Sequence, residues 1–384
     1  MGNSKLSKIK WKHYINYVVV AAFTLFLFIT SMTVGLEKST IYLVEKISIA
    51  IVLALSLNLV VGFLGELSLG HAGFMCIGAY IGGKCSLILE NKLGSTGILS
   101  FVISVLVGGI CAAFFGFVVG LPALRLKGDY LAIVTLGFGE IVKSVFQNTS
   151  QESFGGALGL ETPRYDKNTL FIYSFIIVLI TLAVIQNLMR SKHGRAITSI
   201  RDNEIAAKAT GISVTKYKLL AFIVSSFFAG VAGVLYSFSN YNVQSSKFGY
   251  NYSIEILVMV VLGGIGSING SIIAASLITF INTEFATILT GNLAVLQNLL
   301  YAIILILIVI YNNSPAFKSI RDKYDFKKLF ENLHKKKDPS VIKDDSAKWT
   351  RIQTKIPMDE VLSVDVSPVD QNNLKPDKSP KEGK

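Results

Sequence analysis

The chain has 384 residues, of which 51% are hydrophobic and only 16% are charged, against roughly 25% charged residues in soluble domains. This composition excludes an ordinary set of two or three soluble domains and indicates a polytopic membrane protein. The net charge of +12 does not indicate nucleic-acid binding, because the basic residues cluster between apolar runs and no RNA- or DNA-binding motif accompanies them.

Uncharged runs long enough to cross a bilayer recur along the chain, since one crossing needs about 20 apolar residues. They cover residues 14–36, 47–65, 93–124, 168–189, 219–246, 256–283 and 285–317. Two further apolar stretches, 67–83 and 130–148, are dense in glycine or carry charges. When the region 256–317 is split at 263–270 and at 290–292, the sequence predicts an all-α membrane protein with about ten transmembrane helices.

Loop charges predict the orientation of this bundle. If the N-terminus is cytoplasmic, 13 Lys and Arg residues fall in loops on the inner side and 6 on the outer side. Because cytoplasmic loops are enriched in basic residues, both termini are expected in the cytoplasm. The expected organisation is a cytoplasmic segment 1–13, a transmembrane domain 14–317 with a charged cytoplasmic loop at 190–218, and a tail 318–384. The tail is rich in lysine and proline, which predicts a disordered cytoplasmic extension.

Glycines concentrate in two places. Seven lie between positions 62 and 83, and Gly263, Gly264, Gly266 and Gly270 follow in the second half. Glycine-rich interruptions in both halves of a membrane protein are typical of broken helices that line a pathway. The alternative is close helix packing through pairs spaced four apart, such as 78/82, 116/120 and 266/270.

Polar groups near these glycines are the candidates for the translocation pathway. His71 follows Ser68 and Gly70 in the first glycine-rich break, where helix ends could meet a zwitterion. Ionisable groups in membrane-like sequence are costly and often mark a pathway, so Glu140 is added to the set, although a structural hydrogen bond is the alternative. The candidate pathway residues are Ser68, Gly70, His71, Glu140, Gly263, Gly264 and Gly266. No nucleophile–base pair or metal-ligand cluster is present in the sequence, so neither an enzyme nor a metal site is expected.

Four stretches, in this order, resemble one family. They are GELSLGHAGF at 65–74, GDYLAIVTLGFGE at 128–140, RDNEIAAKATG at 201–211 and LGGIGS at 262–267. Together they are similar to the LivM-type permeases of branched-chain amino acid ABC importers, over roughly residues 40–310. The resemblance implies the permease fold of these importers and a multi-pass subunit in the bacterial plasma membrane.

The resemblance also implies the partners. They are a second permease of the LivH type, two cytoplasmic ATPase subunits that use ATP and Mg, an extracytoplasmic substrate-binding protein and the surrounding membrane lipid. This chain itself is expected to bind no cofactor, and it contains no phosphate-binding loop motif of ATPases.

The loop 190–218 is the expected coupling element. Its segment 204–211 combines alanines, charges and a final glycine, which predicts a short helix that ends at Gly211. Small residues would let this helix dock into a groove on an ATPase subunit; a plain amphipathic interfacial helix is the alternative. The candidate coupling residues are Arg201, Glu204, Ala206, Ala207 and Gly211.

The sequence therefore predicts a permease subunit that translocates branched-chain amino acids delivered by a binding protein. One alternative is a permease for urea or short amides in the same family. The other is a secondary amino acid transporter driven by an ion gradient through Glu66, Glu140 or Glu255.

Overall fold

The structure is a computed structural model that describes residues 37–288 except 94–96, 127, 164 and 166, together with residues 17, 20, 22, 24, 25, 303 and 306. The predicted first crossing at 14–36 falls almost entirely outside the described residues. The predicted break at 290–292 and the tail 318–384 lie outside them completely. The count of ten transmembrane helices and the disordered tail therefore stay predictions.

In the described part of residues 37–288, helices joined by loops make up the protein, together with two very short strands. The helices are α1 Lys38–Asn58, which continues as a π-helix over Leu59–Leu64, α2 His71–Leu93, α3 Ile98–Ala123, α4 Asp129–Gln147, α5 Gln151–Phe154, α6 Lys167–Arg190, α7 Lys192–Asp202, α8 Glu204–Ala209, α9 Val214–Ser239, α10 Tyr250–Gly263 and α11 Ile268–Ile288. The strands are β1 Leu160–Glu161 and β2 Asn242–Val243. The all-α fold class is thus confirmed.

Five helices of the described chain are long and apolar enough to cross a membrane. They are Lys38–Leu64, His71–Asn91, Ile98–Ala123, Thr169–Arg190 and Val214–Ser239. The shorter α10 is also apolar. The predicted division of the run 256–283 is confirmed, because α10 ends at Gly263 and α11 begins at Ile268.

The helix directions define two ends of the bundle. The end of α1 at Leu64 and the start of α9 at Val214 lie at the end that carries α7 and α8, which we call the loop end. The segments 148–166 and 240–249 lie at the opposite end, where β1 and β2 pair antiparallel with Leu160 opposite Val243. The longer helices, α1 to α4, α6 and α9 to α11, run between these ends, in agreement with the alternation of loops predicted from the sequence.

Many glycines serve close packing of α2, α3 and α9 in the centre of the bundle. A Cβ atom at Gly78 would lie 2.0 Å from the carbonyl oxygen of Gly230, and one at Gly116 would lie 1.9 Å from the hydroxyl of Ser226. Neither position has room for a side chain, so the packing interpretation is correct for these helical glycines. Within the two glycine-rich stretches 62–83 and 263–270, the non-helical segments are Gly65–Gly70 and Gly264–Ser267, and these are the glycine breaks discussed below.

Candidate functional site

The first glycine break begins where the π-helix after α1 ends. Gly65 has φ +81, a left-handed conformation that glycine adopts without strain. A Cβ atom at Gly65 would lie 2.7 Å from the Cγ atom of Arg201. Glycine at position 65 therefore allows the backbone turn and also leaves room for Arg201 of the loop helix α7.

The rest of the first break runs back into the bundle as far as His71. The ring Nε2 atom of His71 lies 2.7 Å from the hydroxyl of Ser56, and the backbone N–H of Leu69 donates to the Thr135 hydroxyl at 3.0 Å. Gly70 packs on the backbone of Thr135, whose carbonyl oxygen would be 2.4 Å from an added Cβ atom. These bonds connect the break to α1 and α4.

Ser68 is the exception in the first break. Its hydroxyl is buried and has no hydrogen-bond partner. A buried hydroxyl without a partner is costly to keep. Among Ser68, Gly70 and His71, the predicted pathway residues of this break, Ser68 is therefore the one whose side chain can still form a hydrogen bond.

The second glycine break is held by one side chain of α1. Asn58, which is fully buried, accepts a hydrogen bond from the N–H of Gly266 at 2.9 Å. Its amide also donates to the carbonyl oxygen of Ser267 at 3.1 Å and to the Ser271 hydroxyl at 3.0 Å. Gly264 and Gly266 have φ +90 and +80, so the turn between α10 and α11 requires glycine at both positions.

The second break packs against the π-helix that leads into the first break, next to the loop helices. A Cβ atom at Gly62 would lie 2.4 Å from the backbone nitrogen of Gly266. Arg201 donates from Nη1 to the carbonyl oxygen of Gly62 at 3.1 Å, and its side chain also pairs with Asp202 at 2.9 Å. Gly263 packs against the backbone of Gly270. Three stretches far apart in the sequence are therefore in contact at the loop end.

A buried ion network joins the first break to α8. The ammonium group of Lys218 lies 2.5 Å from a carboxylate oxygen of Glu66 and 3.1 Å from one of Glu204. The Lys218 side chain is only 4% exposed, while that of Glu204 is 37% exposed. Removing one member of such a group leaves a buried charge without compensation. The network therefore ties the position of α8 to the position of the break.

The other predicted coupling residues occupy different faces of α8. The side chain of Asn203 caps the helix by accepting from the N–H of Ala206 at 3.0 Å. Ala207 is buried against the protein, whereas Ala206 is exposed and Ile205 is 79% exposed. Gly211 ends the segment with φ +87. The predicted helix is confirmed, and its outward face carries Ile205 and Ala206 but not Ala207.

The polar partners of Glu140 lie outside both breaks. It pairs with Lys143 at 3.0 Å and accepts a hydrogen bond from the N–H of Tyr250 at 2.7 Å. These contacts hold the start of α10 at the end of the bundle opposite the loop end. The structure therefore places Ser68, Gly70 and His71 at the first break and Gly263, Gly264 and Gly266 at the second. Glu140 follows Gly139, which packs against Gly70, but its own bonds go to Lys143 and Tyr250.

Two central residues, Asn58 and Lys218, were missed by reasoning from the sequence. Asn58 stands within an apolar run, and Lys218 stands at the edge of one. A polar side chain inside a membrane helix needs a partner, and this signal alone could have drawn attention to Asn58. Among the described residues no group of three or more His, Cys, Asp or Glu side chains is placed to hold a metal ion.

Comparison with known proteins agrees with this arrangement. A family profile described as the permease component of the branched-chain amino acid transport system matches residues 39–309. The high-affinity branched-chain amino acid transport system permease protein LivM of Escherichia coli is 35% identical over 298 residues, which cover 68% of each chain. The chain belongs to this permease family.

Other relatives of this permease come from an archaeon. In Methanocaldococcus jannaschii, a probable LivM permease is 27% identical over 60% of this chain and 71% of its own length. A probable LivH permease of the same organism is 29% identical over 42% of this chain and 47% of its own length. No solved structure gives a significant match to the chain.

Family membership confirms the coarse functional predictions. The chain is a transport permease component and not an enzyme, and its apolar helices make it a multi-pass membrane protein. The matched region contains both glycine breaks, the loop helices α7 and α8 and the Lys218 network.

Proposed function

We propose that this permease is the membrane-spanning subunit of an ATP-driven importer for branched-chain amino acids. A substrate-binding protein delivers the amino acid from outside the cell, and two partner ATPases consume ATP and Mg in the cytoplasm. The chain itself binds neither ATP nor Mg. A LivH-type permease is the second membrane subunit, and both termini of this chain are cytoplasmic.

The observation that carries this proposal is the connection between α8 and the glycine breaks. α8 presents exposed Ile205 and Ala206 outwards, while Glu204 on its inner side bonds to Lys218. A partner that moved α8 would therefore act on Glu66 through Lys218. If the partner also moved the preceding helix α7, it would act on Gly62 through Arg201. A connected set of packed and hydrogen-bonded groups is the physical requirement for coupling between distant sites.

The orientation is supported by the charges at the loop end. This end carries Arg125 and the basic residues of α7 and α8, which is typical of cytoplasmic loops. ATPase subunits are cytoplasmic, so the exposed face of α8 lies on the side where they would dock.

A second permease subunit is supported by α4. The exposed surface of this helix is mostly apolar, with Ile133, Ile141 and Val145 each at least 59% exposed, and it also includes the exposed Ser144. An apolar helix face that carries a small polar residue can pack against another helix within a membrane. We propose that the second permease covers this face.

The proposal is tested with the complete importer reconstituted in proteoliposomes. We expect leucine uptake that requires ATP and the binding protein. Ile205→Arg should weaken ATPase co-purification about tenfold or more, since a central apolar contact is replaced by a charge. Ile205→Leu should retain it, because size and polarity are kept.

Leu158→Arg is the matched control, because Leu158 is 67% exposed at the opposite end of the bundle. It should leave ATPase co-purification unchanged. Uptake driven by an ion gradient without ATP would instead establish the secondary transporter. Uptake of urea in place of leucine would establish the alternative substrate class.

A further inference from the structure

A cavity lined by both apolar and polar side chains lies between helices at the end of the bundle opposite the loop end. Its volume is about 310 Å³, and α1, α9, α10 and α11 form its walls. α9 begins beside α8 and ends at Ser239, and the cavity is lined by Asn240 just beyond that end. The volume is at the lower limit for small-molecule sites, which suits one small ligand.

Opposite charges face this cavity. Lys46 of α1 and Lys247 contribute ammonium groups, and Glu255 of α10 contributes a carboxylate. The amide of Asn282 donates to one oxygen of Glu255 at 2.8 Å, and the Lys46 ammonium lies 4.5 Å from the centre of the Tyr42 ring. A ligand that carries both a carboxylate and an ammonium group would complement these charges.

Thr279 supplies an independent observation. Its side chain lines the cavity and is only 9% exposed, yet its hydroxyl has no hydrogen-bond partner. Nearly all buried hydroxyls in proteins are satisfied, so an unsatisfied one that faces a cavity points to a bound group. A polar ligand in the cavity would supply the missing partner.

The cavity also has apolar wall residues, namely Ile49, Ala50 and Met259. An aliphatic side chain fits such a wall, because burial there removes apolar surface from water. We infer that the cavity binds a free α-amino acid with an aliphatic side chain as a zwitterion, on the extracytoplasmic side of the permease. This inference rests on the proposed function, since it places a substrate site within the translocating subunit.

The assignment gives each polar group a distinct task. The substrate carboxylate lies towards Lys46 and Lys247, and the substrate ammonium lies towards Glu255. The hydroxyl of Thr279 donates to the carboxylate. Substrate released by the binding protein would thus be held at the entrance of the path before the breaks at the loop end open.

The test uses the assembled importer in nanodiscs without its binding protein and measures binding of radiolabelled leucine. Thr279→Val should lower leucine affinity about tenfold through the loss of one hydrogen bond to a charged group. The same variant should leave the melting temperature of the ligand-free complex unchanged or higher, because an unsatisfied buried hydroxyl is removed. Glu255→Gln and Lys46→Met should each weaken leucine binding at least tenfold.

Ser276→Ala is the matched control on α11, because the Ser276 hydroxyl donates to the carbonyl oxygen of Ile272 in its own helix at 2.8 Å. It should leave leucine affinity unchanged. Equal leucine binding by wild type and Thr279→Val, or no leucine binding by the wild type, would overturn the inference. Binding of radiolabelled phosphoethanolamine in place of leucine would also overturn it, since the site would then be one for a lipid headgroup.

Uptake with the binding protein present separates this inference from the proposed function. If the wild-type importer takes up leucine while the cavity variants bind and transport like the wild type, only the cavity site is wrong. If the wild type takes up no leucine at all, the proposed function itself is wrong.

Discussion

The two glycine breaks are built on different physical principles although both lie at the loop end. The first break, Gly65–Gly70, is tied to the loop helices by charge through Glu66 and Lys218. The second break, Gly264–Ser267, is held by the neutral amide of Asn58 and by backbone contact with Gly62. The charged break is thus connected to α8 through Lys218, whereas the neutral one is connected to α7 through Gly62 and Arg201.

This difference suggests a division of labour. The ion network is most sensitive to the loss of Lys218, the buried member that pairs with both carboxylates. A neutral amide network is lost more gradually, one hydrogen bond at a time. We therefore expect the first break to respond most strongly to changes at the coupling loop. The second break should mainly hold α10 and α11 in place against α1.

The largest effect is expected from Lys218→Met. The substitution leaves the part-buried Glu66, whose side chain is 13% exposed, without its cation and should lower the free energy of unfolding by about 3 kcal/mol or more. Thermal unfolding of the purified complex measures this loss. Lys216→Met is the control on the same helix, since Lys216 is exposed, and it should change stability by less than about 0.5 kcal/mol.

The double variant Lys218→Met with Glu66→Gln sharpens this prediction. With no buried charge left uncompensated at the break, most of the lost stability should return. Leucine uptake should stay low, because α8 is no longer bonded to the first break. Equal stability of Lys218→Met and Lys216→Met would show that the ion network does not hold the break.

A smaller effect is expected from Asn58→Ala in the second break. It removes three hydrogen bonds and leaves the N–H of Gly266 without its acceptor, so a loss of about 3 kcal/mol in the free energy of unfolding is expected. Asn148→Ala is the control, because the Asn148 side chain is exposed and bonds only to its own helix. If both variants melted at the same temperature, the amide would not be the support of this break.

The smallest effect is expected from Gly266→Ala. An added Cβ atom would lie 3.3 Å from the carbonyl oxygen of Gly62, so the contact alone is tolerable, and the cost comes from φ +80. We expect a loss of about 1–2 kcal/mol in unfolding free energy and slower uptake. Gly137→Ala in α4, where a Cβ atom meets nothing within 4 Å, should be neutral or stabilising by about 0.5 kcal/mol. If Gly137→Ala lowered the unfolding free energy more than Gly266→Ala does, the argument from backbone strain at Gly266 would be contradicted.

The separation of the glycines into two roles could not be predicted from the sequence. Gly78 and Gly70 lie in the same glycine-rich stretch, yet one packs within a helix and the other ends a break. Glycine permits both outcomes at similar local cost. Only the neighbouring helices, α9 for Gly78 and α4 for Gly70, decide which of them occurs.

The sequence by itself determined the membrane class, the helical periods, the break at Gly263–Gly270 and the short helix before Gly211. Each follows from apolar run length or from the conformational freedom of glycine, which are local properties. The tertiary structure alone decided that Lys218 bonds to both Glu66 and Glu204 and that Asn58 spans to Gly266. Most of these contacts join residues that are far apart in the chain. The partner of a buried polar group depends on which helices pack together, and this is not a local property of the sequence.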